Sequence, residues 1–132
     1  GVYNWKTGAF TFSTAGHEHV YCIHKNRRDI EKIAYESFAI GWFEDVEFEQ
    51  KTLQLQKDDH ILFLTDGVIE ASQGKRENQF GEERLYESVL SSLQSLQSSS
   101  AHILEKLNEE VRQFAQNEEQ DDDITMFLMQ VK

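Results

Sequence analysis

The chain has 132 residues, 39% hydrophobic and 28% charged, with 2 Trp, 4 Tyr and 9 Phe. So aromatic a composition describes one globular domain, residues 1–132, and excludes a disordered tail. Thirteen Lys and Arg against 24 Asp and Glu give a formal net charge of −11, which makes nucleic acid and anionic membrane poor partners.

From the N-terminus, Val2 to Trp5 and Ala9 to Thr14 read as strands around the turn signal Lys6-Thr7-Gly8, and Phe10 to Ser13 alternates apolar with polar. His19 to His24 makes another strand, closed by a turn at Asn26-Arg27. Asp45 to Leu55 alternates again through Val46, Phe48 and Leu53, and Gln56 to Asp59 is a polar turn. Ile61-Leu62-Phe63-Leu64 is a continuous apolar run, the pattern of a strand buried on both faces.

After Gly67 the period becomes helical. Leu85, Val89, Leu90, Leu93 and Leu96 share one face of a first helix, whose end runs through the serine-rich stretch 91–100 into a loop. Ile103, Leu104, Leu107, Val111 and Phe114 do the same in a second helix, for which the serines at 98 to 100 offer an N-cap. A last strand, Ile124 to Val131, follows an acidic run ending in Asp121-Asp122-Asp123. Strands, two helices and a closing strand predict an α+β fold: an antiparallel sheet with helices on one face. No apolar run approaches the roughly 20 residues that cross a bilayer, and Gly1 to Trp5 has no signal-peptide character. The single cysteine, Cys22, forms no internal disulfide framework and suits a cytoplasmic protein.

Several residues could carry chemistry, each beside a plainer reading. Asp66 follows the most apolar strand; Asp-Gly is also a common turn dipeptide. Asp121-Asp122-Asp123 reads as a solvated loop, yet three adjacent carboxylates repel one another and a bound cation would offset that repulsion. If the strand starting at Ile124 lies beside the one ending at Leu64, Asp66 and one of the triplet meet at a common sheet end. Such hard oxygen ligands suit Mg²⁺ or Mn²⁺ rather than zinc. Gly16 permits a bend that aims His17 into a cleft, or leaves it exposed. Cys22 and His24 alternate onto one strand face, without the four-ligand spacing of a zinc site. Arg27 and Arg28 bind an anion or solvate a hairpin tip. No Gly-rich phosphate loop and no Gly-x-Ser-x-Gly elbow occurs.

Five stretches, in order, resemble the C-terminal part of a bacterial PP2C-type serine/threonine phosphatase domain of the SpoIIE/RsbU-like branch. They are residues 12–17 (Phe-Ser-Thr-Ala-Gly-His), 38–41 (Phe-Ala-Ile-Gly), 62–71 (Leu-Phe-Leu-Thr-Asp-Gly-Val-Ile-Glu-Ala), 80–85 (Phe-Gly-Glu-Glu-Arg-Leu) and 120–125 (Gln-Asp-Asp-Asp-Ile-Thr). Each is short; together they cover nearly the whole chain. The resemblance implies a sandwich of two antiparallel sheets with helices packed outside. It also implies two Mn²⁺ or Mg²⁺ ions that activate the nucleophile attacking a phosphoserine or phosphothreonine. Asp66 matches a metal-ligating aspartate of the family, and Asp122 matches another on the same metal, with Asp123 next to it. Substrates in the family are phosphorylated regulatory proteins such as anti-anti-sigma factors, and an N-terminal sensory or receiver domain is a common companion.

One departure stands against these matches. The family domain begins well before the stretch matched by residues 9–17, with a Gly-Asp motif whose aspartate bridges the two metals, and nothing before Phe10 holds such a motif. The expectation is a fold incomplete at its N-terminus, with half a binuclear site, weak metal binding and little activity alone. A non-catalytic phosphatase-like module that docks a partner is the competing reading, and an acidic α+β domain whose motif matches are turns is a third. Stripped of N-terminal strands, the sandwich would expose Phe10, Phe12 and Ile61 to Leu64. Self-association through these strands, domain swapping included, or a closed, rearranged sheet is then expected.

Overall fold

The computed structural model describes residues 1–17, 19–33, 38–73, 78–94, 99–116 and 122–132. In chain order these form β1 (Val2–Asn4), β2 (Ala9–Phe12), β3 (Val20–His24), β4 (Asp29–Lys32), β5 (Lys51–Gln54), β6 (His60–Leu64), α1 (Asp66–Ile69), α2 (Gly81–Leu93), α3 (Ser100–Ala115) and β7 (Met126–Gln130). Two antiparallel sheets result, ordered β1-β2-β5 and β4-β3-β6-β7. The fold is α+β, as expected, with two sheets where the hydropathy pattern alone indicated one.

Each face of the four-stranded sheet has its own core. Val20, Cys22 and Ile61 pack with Phe10, Phe12 and Leu55, which joins the two sheets. Tyr21, Ile23, Leu62 and Leu64 pack the other way, against Leu85 and Val89 of α2 and Ile103, Leu107 and Val111 of α3. The central strands β3 and β6 are therefore covered on both sides, which explains the unbroken apolar run of β6. Of the stripes read from periodicity, Leu85, Val89, Ile103, Leu107 and Val111 are buried and Leu93, Leu104 and Phe114 pack partly buried against them, while Leu90 is half-buried outside this core and Leu96 lies outside the described residues. Ser99 caps α3, its side chain accepting the His102 N–H at 3.2 Å.

Several expectations are corrected. Phe10, Phe12, Ile61, Leu62 and Leu64 are buried rather than exposed. The reason is that the three-stranded sheet lies over the inner face of the other. Phe10 and Phe12 stack with centroids 5.2 Å apart, and both meet Phe63 edge-on at 6.4 and 6.3 Å. The apolar side chain left open on β7 is Phe127, 59% exposed.

The strand expected over Asp45 to Leu55 shrinks to β5, because β2 offers it partners only from Lys51 to Gln54. Asp45 also takes a left-handed φ of 60°, which no strand accommodates. Strand β4 went unread in the sequence: Asp-Ile-Glu-Lys has a single apolar residue, as an edge strand tolerates. Finally, Asp66-Gly67 opens the one-turn helix α1 instead of a simple turn.

Candidate functional site

The exit of β6 and the entrance of β7 form one end of the four-stranded sheet. The ladder pairs Leu64 with Met126 and continues one step further. The Thr65 N–H donates to the Thr125 carbonyl at 3.0 Å, and Thr65 Oγ1 accepts the Thr125 N–H at 2.9 Å. The same hydroxyl donates to the Asp123 carbonyl at 2.6 Å. Asp66 and the pair Asp122-Asp123 thus leave the sheet side by side. Gly67 seals the approach: a side-chain carbon there would sit 2.7 Å from the Asp123 carbonyl oxygen and 2.9 Å from that of Asp122. Glycine is needed here for close approach rather than for an unusual φ.

The carboxylates at this end face solvent. Asp66 is 56% exposed at its side chain, Asp122 and Asp123 are exposed, and Asp122 Oδ1 accepts the Asp123 N–H at 2.8 Å. Asp121, third of the triplet, lies outside the described residues. Among the described residues no group of three or more His, Cys, Asp or Glu side chains is placed to hold a metal ion. The donors are hard oxygens brought to one sheet end, and in kind they fit Mn²⁺ or Mg²⁺. In number they fit part of a site.

Behind Asp66 runs a chain of polar contacts that sequence reasoning missed. His19 Nε2 stands 3.3 Å from Asp66 Oδ1, and its Nδ1 stands 3.3 Å from Tyr21 Oη. Tyr21 donates to Glu82 Oε1 at 3.1 Å, and Lys32 donates to the same oxygen. Burial, then the charge of Glu82, pushes the Tyr21 phenol far above its usual range. The hydrogen bond from Lys32 holds the Glu82 carboxyl below its usual range. The only signal in the sequence was the i, i+2 alternation of His19 and Tyr21 along one strand face. Glu82, in the first turn of α2, is 61 residues from Tyr21, and only the fold brings it there.

The remaining candidates take other places. Gly16 has φ +79°, and a side-chain carbon on it would come within 3.2 Å of the Cα of Ala39. The Ala-Gly-His and Phe-Ala-Ile-Gly stretches therefore meet. His17 lies beside Phe63, ring centroids 6.2 Å apart, and its buried Nε2 has no hydrogen-bond partner among the described residues. Cys22 Sγ lies 3.9 Å from His24 Nδ1, which is 3.4 Å from Asp59 Oδ2. This cluster sits toward the far end of β3 from His19 and does not reach the ligand set of a zinc site. Burial pushes the Cys22 thiol up to about 12, so it is a structural residue rather than a nucleophile. Arg27 and Arg28 are exposed in the β3–β4 turn.

Two antiparallel sheets face to face, helices on an outer face and aspartates gathered at a sheet end define the class: the fold is that of PP2C-type phosphatase domains. The family model of Stage II sporulation protein E (SpoIIE) matches residues 1–132, and the chain belongs to that family. Among solved structures, the SiaA PP2C domain of Pseudomonas aeruginosa is similar, with TM-score 0.77 and 17% identity, over 96% of this chain and 48% of that one. The Mn-presoaked phosphatase domain of the cell fate determinant SpoIIE from Bacillus subtilis gives TM-score 0.71 and 14% identity, over 98% and 54%. A structure of RsbU and RsbW domains from Mycobacterium tuberculosis gives 0.70 and 22%, over 97% and 34%. The chain thus spans about half the length of the SpoIIE and SiaA domains that it matches. No curated protein sequence matches it.

Proposed function

We propose that residues 1–132 are the C-terminal portion of a metal-dependent phosphoprotein phosphatase domain. In this reading Asp66 and Asp122, with Asp123 beside them, supply carboxylate ligands for Mn²⁺ or Mg²⁺. The observation that supports it most is the seating of Gly67 against the Asp122 and Asp123 carbonyls, which gathers two separate acidic segments where a soluble loop would spread them. When bound, such ions supply Lewis-acid activation of water and neutralise charge on phosphoryl oxygens. The chain's own residues hold the ligands in register: Thr65 ties the two segments together, and His19 and Tyr21 support Asp66 from behind.

The substrate in this reading is a phosphoserine or phosphothreonine on a cytoplasmic regulatory protein such as an anti-anti-sigma factor. The two ions of a complete site need ligands from a further segment of a longer parent protein, where a sensory or receiver domain would also reside. The absence of a three-ligand cluster among the described residues favours the second reading, a phosphatase-like module that docks a partner without chemistry.

Turnover of a phosphopeptide with Mn²⁺ decides between them. The 132-residue chain alone is expected near background, while the longer parent is active and loses turnover on Asp66→Asn. Robust turnover by the short chain would refute the half-site reading. A parent that is inactive, or indifferent to Asp66→Asn, would favour the docking module.

A further inference from the structure

Three cations within four residues, Lys25, Arg27 and Arg28, stand at the β3–β4 turn of a chain whose net charge is −11. Lys25, Asn26 and Arg28 line a cavity of about 600 Å³ together with Leu90, Leu93 and Gln94 at the end of α2. That volume lies within the roughly 300–1,000 Å³ of small-molecule sites. The lining divides by chemistry: the turn supplies two cations and an amide, and α2 supplies two half-buried leucines. Among the described residues neither Lys25 nor Arg28 has an ion pair, and no side chain of Lys25, Asn26 or Arg28 makes a hydrogen bond. The negative pole of α2 draws cations to this end, yet their donors do not reach its last carbonyls.

Lys25 is half-buried. Alternation along β3 puts it on the face of Tyr21 and Ile23, which pack toward α2. On the same face His60 pairs with Ile23 across the strands. Its ring is fully buried, and both its nitrogens lack a hydrogen-bond partner among the described residues. Burial lowers the pKa of that ring, and the nearby Lys25 ammonium lowers it further. A partly desolvated cation with no counter-ion, set beside a neutral buried ring, is an arrangement that a bound anion relieves.

We infer that this cavity binds a small organic phosphate monoester, with its phosphoryl oxygens on Lys25, Asn26 and Arg28 and its apolar body on Leu90 and Leu93. Such a phosphate carries a charge of about −1.5 to −2 at neutral pH, which two cations match and a single carboxylate does not. The planar guanidinium fork of Arg28 suits phosphoryl oxygens, and the leucines favour an ester with a carbon body over inorganic phosphate. The cavity lies toward the opposite end of β3 from His19, roughly 20 Å away at a strand's rise per residue. It is therefore separate from Asp66, and the inference stands whether or not Asp66 holds a metal.

The test titrates the metal-free 132-residue protein with phenylphosphonate, which has no ester bond to hydrolyse, and with inorganic phosphate, read by ¹H–¹⁵N chemical shifts. The wild type is expected to bind phenylphosphonate more tightly, with shifts centred on residues 25–28, His60 and the last turn of α2. Lys25→Gln and Arg28→Gln should each weaken binding by about tenfold or more. Leu93→Ser should weaken phenylphosphonate and leave inorganic phosphate nearly unchanged. Arg27→Gln is the control, because Arg27 does not line the cavity and its charge acts on Cys22 in the other core. It should bind as the wild type does. Equal losses from Arg27→Gln and Arg28→Gln, or equal affinity for the two anions, would mean an adventitious ion only, drawn to a basic turn, and would overturn the inference. So would shifts centred elsewhere in the wild type, or no binding of phenylphosphonate.

Discussion

Thr65 and Asp123, 58 residues apart, are joined by one short hydrogen bond, Oγ1 donating to the backbone carbonyl at 2.6 Å. The same hydroxyl accepts the Thr125 N–H at 2.9 Å, so a single side chain clips the entrance of β7 to the exit of β6. Thr65→Val keeps the shape and removes both bonds, leaving a carbonyl and an N–H without that partner. A loss of about 1–3 kcal/mol in denaturant titration is expected, along with weaker Mn²⁺ binding. Thr65→Ser should retain most of both. Equal stability of the Val and Ser variants would show that the clip contributes nothing.

Gly67→Ala tests the close approach directly. The added carbon would meet two backbone oxygens at 2.7 and 2.9 Å, and backbone cannot swing aside as a flexible side chain can. The variant is expected to lose about 1–3 kcal/mol and to bind Mn²⁺ less tightly than the wild type. A variant that melts with the wild type would mean that the two acidic segments are not pressed together.

Cys22 should be silent. Its thiol is buried and pushed up to about 12, and the thiolate is the reactive form. Thiol reagents at mildly alkaline pH should label it only after denaturant is added. Fast labelling of the native protein would contradict its placement in the core between the sheets.

His60 carries the clearest pH signature. The ring is fully buried on β6, and neither ring nitrogen has a hydrogen-bond partner among the described residues. Desolvation lowers its pKa below the ordinary 6.5, with Lys25 adding to the effect. The unfolded chain therefore binds a proton more readily than the folded one. Stability is full above the unfolded value and falls as pH drops below about 6.5, by at most about 1.4 kcal/mol per pH unit for one proton. His60→Leu should remove this dependence. Identical pH profiles for the variant and the wild type would show that His60 is not responsible.

Much of the scaffold was legible because local pattern and tertiary role agree. The apolar run of β6, the leucine stripes of α2 and α3 and the Ser99 cap each follow from one element's own periodicity. The strand after Asp123 does lie beside the strand before Asp66, which the spacing raised only as a condition. Other features belong to no single segment. The burial of Phe10 and Phe12 depends on a second sheet that the alternation of β2 cannot specify. The loss of strand structure before Lys51 depends on where β2 ends. The line from Asp66 in α1 through His19 beside β3 and Tyr21 within it to Glu82 in α2 joins three separate elements, so no local pattern could announce it.

The proposed function requires Asp66 and Asp122 to share a metal ion. Anomalous diffraction from crystals soaked in Mn²⁺ tests it most directly. The expected result is a manganese peak within about 2.0–2.6 Å of a carboxylate oxygen from each residue, beside Gly67. A peak elsewhere on the protein, or none at saturating Mn²⁺ with the two carboxylates turned apart, would contradict it.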